Sequence, residues 1–351
     1  MLREDRRNGL VDLAKFVMSI GVMLGHYSYI FNQEFSSVKI TKLPLIIAHG
    51  SLAEFVCVFF VISGFYAYHS FESLHQTGPS GIGPFLKKKV NRLFPLMLIS
   101  VAYFCFVDIV YLLVKGHFWA GRQITFQNII LTSLGIGTWV CVDKNLNGPV
   151  WYVSVLLLCL VILCVISALN IGKEYKYLLF TLMMILGLIT VLTPGITVPL
   201  LKGKIGRGYF AFFTGVLIAA VFEKWPQITR LRNIVIVLAV FAVLCVIGRK
   251  TGQDLIGTPM ITVAFCFAPA IVALGQQDCI KLIFNNSMFS WLGSISYGIF
   301  LLHIPTYLMV SLLFGESITY NRWLVIGLIT IAVVGQSAIF TRLTKKAALI
   351  K

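Results

Sequence analysis

The run V-L-L-L-C-L-V-I-L-C-V-I-S-A-L at residues 155–169 carries no charge and shows no alternation of apolar with polar side chains. Only α-helices and closed β-barrels can span a bilayer, because every backbone N–H and C=O must find its partner inside the structure. Barrel strands alternate in polarity, so a continuous apolar run reads as a helix. Crossing a hydrocarbon core of about 30 Å takes roughly 20 helical residues, and stretches of that kind recur along the whole chain.

Composition agrees. Hydrophobic residues make up 58% of the 351 and charged residues 12%, about half the share of charge in a soluble domain. A soluble fold could not cover that much apolar surface. The expected fold is an all-α polytopic bundle of about ten transmembrane helices, at 10–31, 49–70, 93–115, 150–169, 177–193, 208–222, 233–248, 257–275, 289–314 and 323–343. The first stretch is as long as a span and lacks an A-x-A-like cleavage site, so it is expected to remain in the mature protein. With no long polar stretch, low-complexity tract or clear repeat, residues 1–351 read as a single membrane-embedded domain without an appended soluble one. The eight cysteines fall mostly in apolar runs without C-x-x-C spacing. They read as small core residues, with neither a disulfide framework nor a metal site expected.

Ten spans place both termini on one side. Lys and Arg are retained on the cytoplasmic side. With the N-terminus inside, inner segments hold 17 of them against 11 outside, the bias being strongest in the first three segments. Both termini are therefore expected to be cytoplasmic, in a cell (inner) membrane. The net charge of +16 does not point to nucleic acid, because the basic residues cluster at helix ends beside lipid headgroups. Anionic membrane lipid and a phosphorylated cytoplasmic ligand both fit that placement.

Ionisable groups inside a membrane helix are costly unless paired or hydrated, which makes each a functional candidate. Three spans are read as carrying them. In D-L-A-K-F-V-M-S-I-G-V-M-L-G-H (12–26), Lys15 and His26 are 11 residues apart. That spacing puts them within about 20° of one face and about 16 Å apart along the axis. Lys15 then lies near the cytoplasmic interface and His26 in the outer half. Such a column could hold the phosphates of an extended cytoplasmic donor, such as coenzyme A, while its reactive end reaches a base further across. The plainer alternative is a Lys15 that snorkels or pairs with Asp12 at i, i+3, beside a His26 hydrogen-bonded in the bundle. On the second helix Glu54 falls in the outer half and could orient or charge-pair His26. In F-F-V-I-S-G-F (59–65), Ser63 and Gly64 permit close helix approach, or Ser63 lines a ligand. In W-L-G-S-I-S-Y-G-I-F-L-L-H-I-P (291–305), His303 again lands in the outer half, and Pro305 is expected to kink the helix and free a carbonyl. At the inner side, K-K-K-V-N-R-L-F-P (87–95) reads as a stop-transfer cluster, or as Lys88 and Arg92 holding a nucleotide or diphosphate beside Lys15.

Taken together, the first helix ending in His26, F-F-V-I-S-G-F, the basic run ending R-L-F-P (92–95), Trp151 opening the fourth helix and S-I-S-Y-G-I-F-L-L-H resemble the acyltransferase-3 family. These are multi-helix membrane enzymes that O-acylate cell-surface glycans. The resemblance covers most of the chain. It implies an O-acetyltransferase type of enzyme with acyl-CoA, most simply acetyl-CoA, as donor substrate and no permanently bound cofactor. It also implies a glycan or lipid-linked glycan as acceptor and His26 as general base. Glu54 and His303 are then auxiliary catalytic candidates; Lys15, Lys88 and Arg92 donor-binding candidates; Ser63, Trp151 and Tyr297 substrate contacts. The family has an arginine separated from the first-helix histidine by ten residues, and Lys15 stands in that place, keeping the charge without the bidentate fork. Where the family often has an acid before its Phe-Phe pair there is Cys57, with Glu54 one turn earlier. Leu156 stands where many members have a glutamate five residues after the tryptophan. A transporter or flippase of a lipid-linked or small polar substrate is the rival class, and a silent membrane scaffold a third.

Overall fold

In the computed structural model of the protein the described residues are 8–34, 53–119, 124–140, 145–193, 195–251, 259–315 and 322–349. The fold is an all-α polytopic membrane bundle. Its helices are α1 Gly9–Glu34, α2 Ala53–Thr77, α3 Ile82–Lys115, α4 Phe126–Ser133, α5 Val150–Ala168, α6 Lys173–Leu192 and α7 Gly203–Lys224. They continue with α8 Leu231–Thr251, α9 Pro259–Thr262, α10 Ala268–Leu274, α11 Asp278–Phe284, α12 Ser287–Phe314 and α13 Arg322–Leu349. A π turn, Val263–Phe267, joins α9 to α10, and one small antiparallel hairpin pairs β1 Thr197–Val198 with β2 Leu201–Lys202.

Each expected span falls on helix, although the starts of two of them, 49–52 and 257–258, lie outside the described residues. Among the described residues, seven helical segments are long and apolar enough to cross a membrane, or eight if a pair bent by 79° is one broken span. The number is lower than ten for identifiable reasons. Helices α2 and α3 run together as one 62-residue segment, Glu54–Lys115, through a 3-10 turn at Gly78–Gly81. The described apolar part of α8 is short, Leu231–Val243, and the region from Met260 to Phe284 is the bent pair. Helix α4 is not among the expected spans, yet its start is written in the sequence. Thr125 caps it, its Oγ1 accepting from the Asn128 N–H at 3.2 Å, as a threonine before a helical run does.

The chain divides into two compact units: residues 1–15, 53–88 and 155–293, and residues 16–52, 89–154 and 294–351. In the first, α7 packs on α2 and α6. Lipid supplies no hydrophobic drive for helices to associate, so close backbone approach through small residues does that work. Gly64 of α2 lies against the Phe212 carbonyl, and Gly215 of α7 lies against the Val61 carbonyl. Gly187 of α6 meets the backbone of Phe210 and Gly206 in the same way. A Cβ at any of these positions would strike backbone. Gly215→Val is therefore expected to cost about 1–3 kcal/mol and to lower the melting temperature in detergent. Gly335→Val, at a site open to space, should leave it unchanged; equal melting of the two variants would refute this packing account.

The first unit also holds polar groups that stop α6 from sliding. Lys173 pairs with Glu72 at 2.7 Å. Lys176 is fully buried and donates to the Ser167 carbonyl at 2.6 Å and to His75 Nδ1 at 2.9 Å. An ammonium group has only donors to offer, so both partners accept, and the start of α6 is tied to the ends of α2 and α5. The second unit centres on aromatic and aliphatic side chains of α1, α3, α12 and α13, among them Tyr27, Phe31, Phe104, Tyr307 and Val333.

Candidate active site

Histidines 26 and 303 both belong to the second unit, on α1 and α12. Their ring centroids are 5.0 Å apart and the planes are inclined at 42°. The register that brings them together is fixed one turn away on each helix, where the Tyr307 hydroxyl donates to the Met23 carbonyl at 2.9 Å. Met23 precedes His26 by three residues and Tyr307 follows His303 by four, so this one bond holds the two histidine-bearing turns side by side. Tyr27, Phe31 and Tyr307 pack around it edge to face, at 4.8 and 5.6 Å for the Phe31 pairs.

Each imidazole has its tautomer set by its own helix. His26 Nδ1 lies 2.9 Å from the Val22 carbonyl, and His303 Nδ1 lies 3.2 Å from that of Ile299. A carbonyl oxygen can only accept, so in both rings Nδ1 carries the hydrogen and a neutral ring presents Nε2 as its basic nitrogen. The two rings differ in access. His26 is half-buried, whereas His303 is wholly buried and its Nε2 has no hydrogen-bond partner among the described residues. The accessible base is His26.

Pro305 frees a carbonyl, as the sequence predicts, and the structure shows what satisfies it. Lacking an N–H, it leaves the carbonyl of Leu301 without its helical donor. Helix α12 continues past it to Phe314, and the Leu301 carbonyl accepts a hydrogen bond from Asn147 Nδ2 at 2.9 Å. Asn147 comes from the stretch 145–147 that leads into α5, which is buried yet not helical. Irregular backbone survives burial only where its polar groups are satisfied. Here Leu146 N donates to Thr132 Oγ1 at 3.1 Å and Asn145 Nδ2 to Thr138 Oγ1 at 2.6 Å. Thr138 N and the Trp139 indole both reach Ser154, at 3.2 and 2.8 Å.

The other candidate residues distribute as follows. Lys15 adopts the plainer arrangement: it pairs with Asp12 at 3.4 Å and stands 5.7 Å over the Tyr66 ring, with about a quarter of its side chain still exposed. Lys88 and Arg92 are exposed one turn apart on α3. The Tyr297 hydroxyl donates to the Leu93 carbonyl at 3.0 Å, beside Arg92. Trp151 is half-buried in the first turn of α5. Glu54 and Ser63 belong to the first unit, both half-buried on α2. Ser63 adjoins the glycine at the α2–α7 crossing, and Glu54 and Arg207 both lie within electrostatic range of Cys57.

One intramembrane acid escaped the sequence reading. Asp108, in α3, is fully buried and accepts from the Trp119 N–H at 2.8 Å, folding the chain back after the helix. The rule that singled out Glu54, an ionisable residue inside a span, marks it equally.

A family model described as an acyltransferase domain, of the acyltransferase-3 type, matches residues 8–342, nearly the whole chain. No curated protein and no solved structure gives a significant match.

Proposed function

From the premise that this chain belongs to the acyltransferase-3 family, and so is a multi-pass membrane acyltransferase, we propose that it moves an acetyl group from cytoplasmic acetyl-CoA to a hydroxyl of a cell-surface or lipid-linked polysaccharide. The chain acts as one membrane-embedded domain in the cell's inner membrane, with both termini cytoplasmic. The observation that carries the reading is the histidine pair, with its accessible member held in the tautomer that leaves Nε2 basic.

In the reaction His26 Nε2 takes the proton of the acceptor hydroxyl as its oxygen attacks the thioester carbonyl. The tetrahedral adduct collapses with cleavage of the C–S bond. The departing CoA thiolate recovers the proton from His26, so the products are an O-acetyl ester and CoA–SH. A histidine suits this exchange because its ordinary pKa of about 6.5 lets it accept and return a proton near neutrality. His303 backs the His26 ring, Glu54 is a further auxiliary acid, and Ser63, Trp151 and Tyr297 are the candidate contacts to substrate.

Lys15, Lys88 and Arg92 are assigned to the donor's phosphates. For Lys15 this means exchanging Asp12 for a phosphate oxygen, which is a stronger partner when bound and desolvated. Lys15→Ala is expected to raise KM for acetyl-CoA about tenfold with little change in kcat, the signature of lost uniform binding. Asp12→Asn, which removes the carboxylate competing for the ammonium, should lower KM. If Lys15→Ala leaves KM unaltered, the donor assignment of that residue fails.

The deciding experiment uses purified protein in liposomes with [14C]acetyl-CoA and a glycolipid and polysaccharide extract from the source cells. The expected result is stoichiometric CoA release and alkali-labile label in the glycan. Movement of a solute or lipid across the bilayer without CoA formation would favour a transporter and refute the proposal.

A further inference from the structure

Helix α12 carries His303 two residues after Leu301 and two before Pro305, on the one turn of the helix where the backbone ladder is interrupted. Three bonds hold that turn: His303 Nδ1 to Ile299 O, the Tyr307 hydroxyl to Met23 O, and Asn147 Nδ2 to Leu301 O. The first two are made by α12's own side chains. The third is supplied from outside the helix, and it replaces the hydrogen bond that proline removes. Asn147 and Leu301 are both essentially inaccessible to solvent, so water cannot take over the role. Asn147 Nδ2 also reaches Ser100 Oγ of α3 at 3.3 Å, and Oδ1 has no partner among the described residues. The donor end of the amide is thus the end that the fold uses. Its backbone is held too, since the neighbouring Leu146 N is bonded to Thr132, and Val150 N, opening α5, to Asn147 O at 3.1 Å.

We infer that Asn147 is a positioning residue for the proposed acyl transfer: it completes the proline-interrupted turn of α12 and thereby holds His303 against His26. The inference rests on the acyl-transfer reading for its kinetic consequence only, because the geometry it asserts can be measured without turnover. The physical reason is the cost of a buried acceptor with no donor. Without Asn147, the Leu301 carbonyl is relieved only by bending α12 at Pro305 toward another donor. That bend carries His303 with it.

Restoring the missing N–H tests this directly. In Asn147→Leu, kcat with [14C]acetyl-CoA and the glycan extract is expected to fall about tenfold or more, while KM for acetyl-CoA stays within about twofold, since donor binding is untouched. Pro305→Ala alone should retain most activity, because a carbonyl has two lone pairs and can accept from both the new N–H and Asn147. The double variant Asn147→Leu/Pro305→Ala is expected to recover most of the lost kcat, since the helix then satisfies its own carbonyl. The same variants, imaged by cryo-electron microscopy in nanodiscs with a bound Fab, should show the His26–His303 separation widened in Asn147→Leu and restored in the double variant. A double variant as slow as the single one, an unchanged ring separation in Asn147→Leu, or a strong defect in Pro305→Ala alone would overturn the inference. An inactive wild type would overturn the functional reading instead, leaving the imaging to decide the role of Asn147.

Discussion

Replacing His26 by alanine is expected to lower kcat for acetyl transfer by about 10²- to 10⁴-fold, the usual contribution of a positioned general base, while the protein still inserts and elutes as a monodisperse species. The fold should tolerate the change. The ring is only half-buried, and it hydrogen-bonds to Val22 O, four residues back on its own helix, a carbonyl that already has a backbone donor. KM for acetyl-CoA should move little, because the donor's phosphates are assigned to cations elsewhere. Free imidazole added to the variant should restore part of the rate, as a small base can enter the space the ring vacates. Activity near wild type in the purified variant would remove His26 from the mechanism. Should the alanine variant lose its fold along with its activity, His26→Asn, keeping a polar group of similar size, separates structure from catalysis.

Much of this could be read from the chain before any coordinates, and the reasons are local. A membrane helix needs about 20 apolar residues in succession, which is why runs such as 155–169 announce themselves. The shared depth of His26 and His303 follows from counting residues along two helices that each rise by a fixed step. The alternative for Lys15, pairing with Asp12, also follows from i, i+3 spacing, and it is the arrangement found. What could not be read depends on partners far apart in the chain. Pro305 announces that the Leu301 carbonyl loses its donor, yet nothing in the sequence says that Asn147, 154 residues earlier, supplies a new one. Likewise, Tyr307 looks like one more aromatic residue in an apolar run until its hydroxyl is seen on Met23. Asp108 is a different kind of miss, since the rule that finds it needs no structure at all.

The second large effect concerns His303, and its value lies in how it combines with the first. His303→Gln is expected to lower kcat about tenfold to a hundredfold, the scale of a lost interaction with a group that becomes charged during the reaction. The glutamine is close in length and can keep an amide N–H near the Ile299 carbonyl, so the buried position is not emptied. Because His303 is wholly buried and His26 is the ring with access, His303 can affect the reaction only through His26. The two losses should then not multiply: His26→Ala/His303→Gln is expected to be no slower than His26→Ala alone, as happens when residues act as one unit. Multiplicative losses would mean that His303 meets the substrate by its own route. An inactive His303→Gln variant, with His26→Ala retaining activity, would reverse the roles of the two rings. Additivity is the informative measurement because it separates two histidines that stand 5.0 Å apart and would otherwise be indistinguishable by single substitutions.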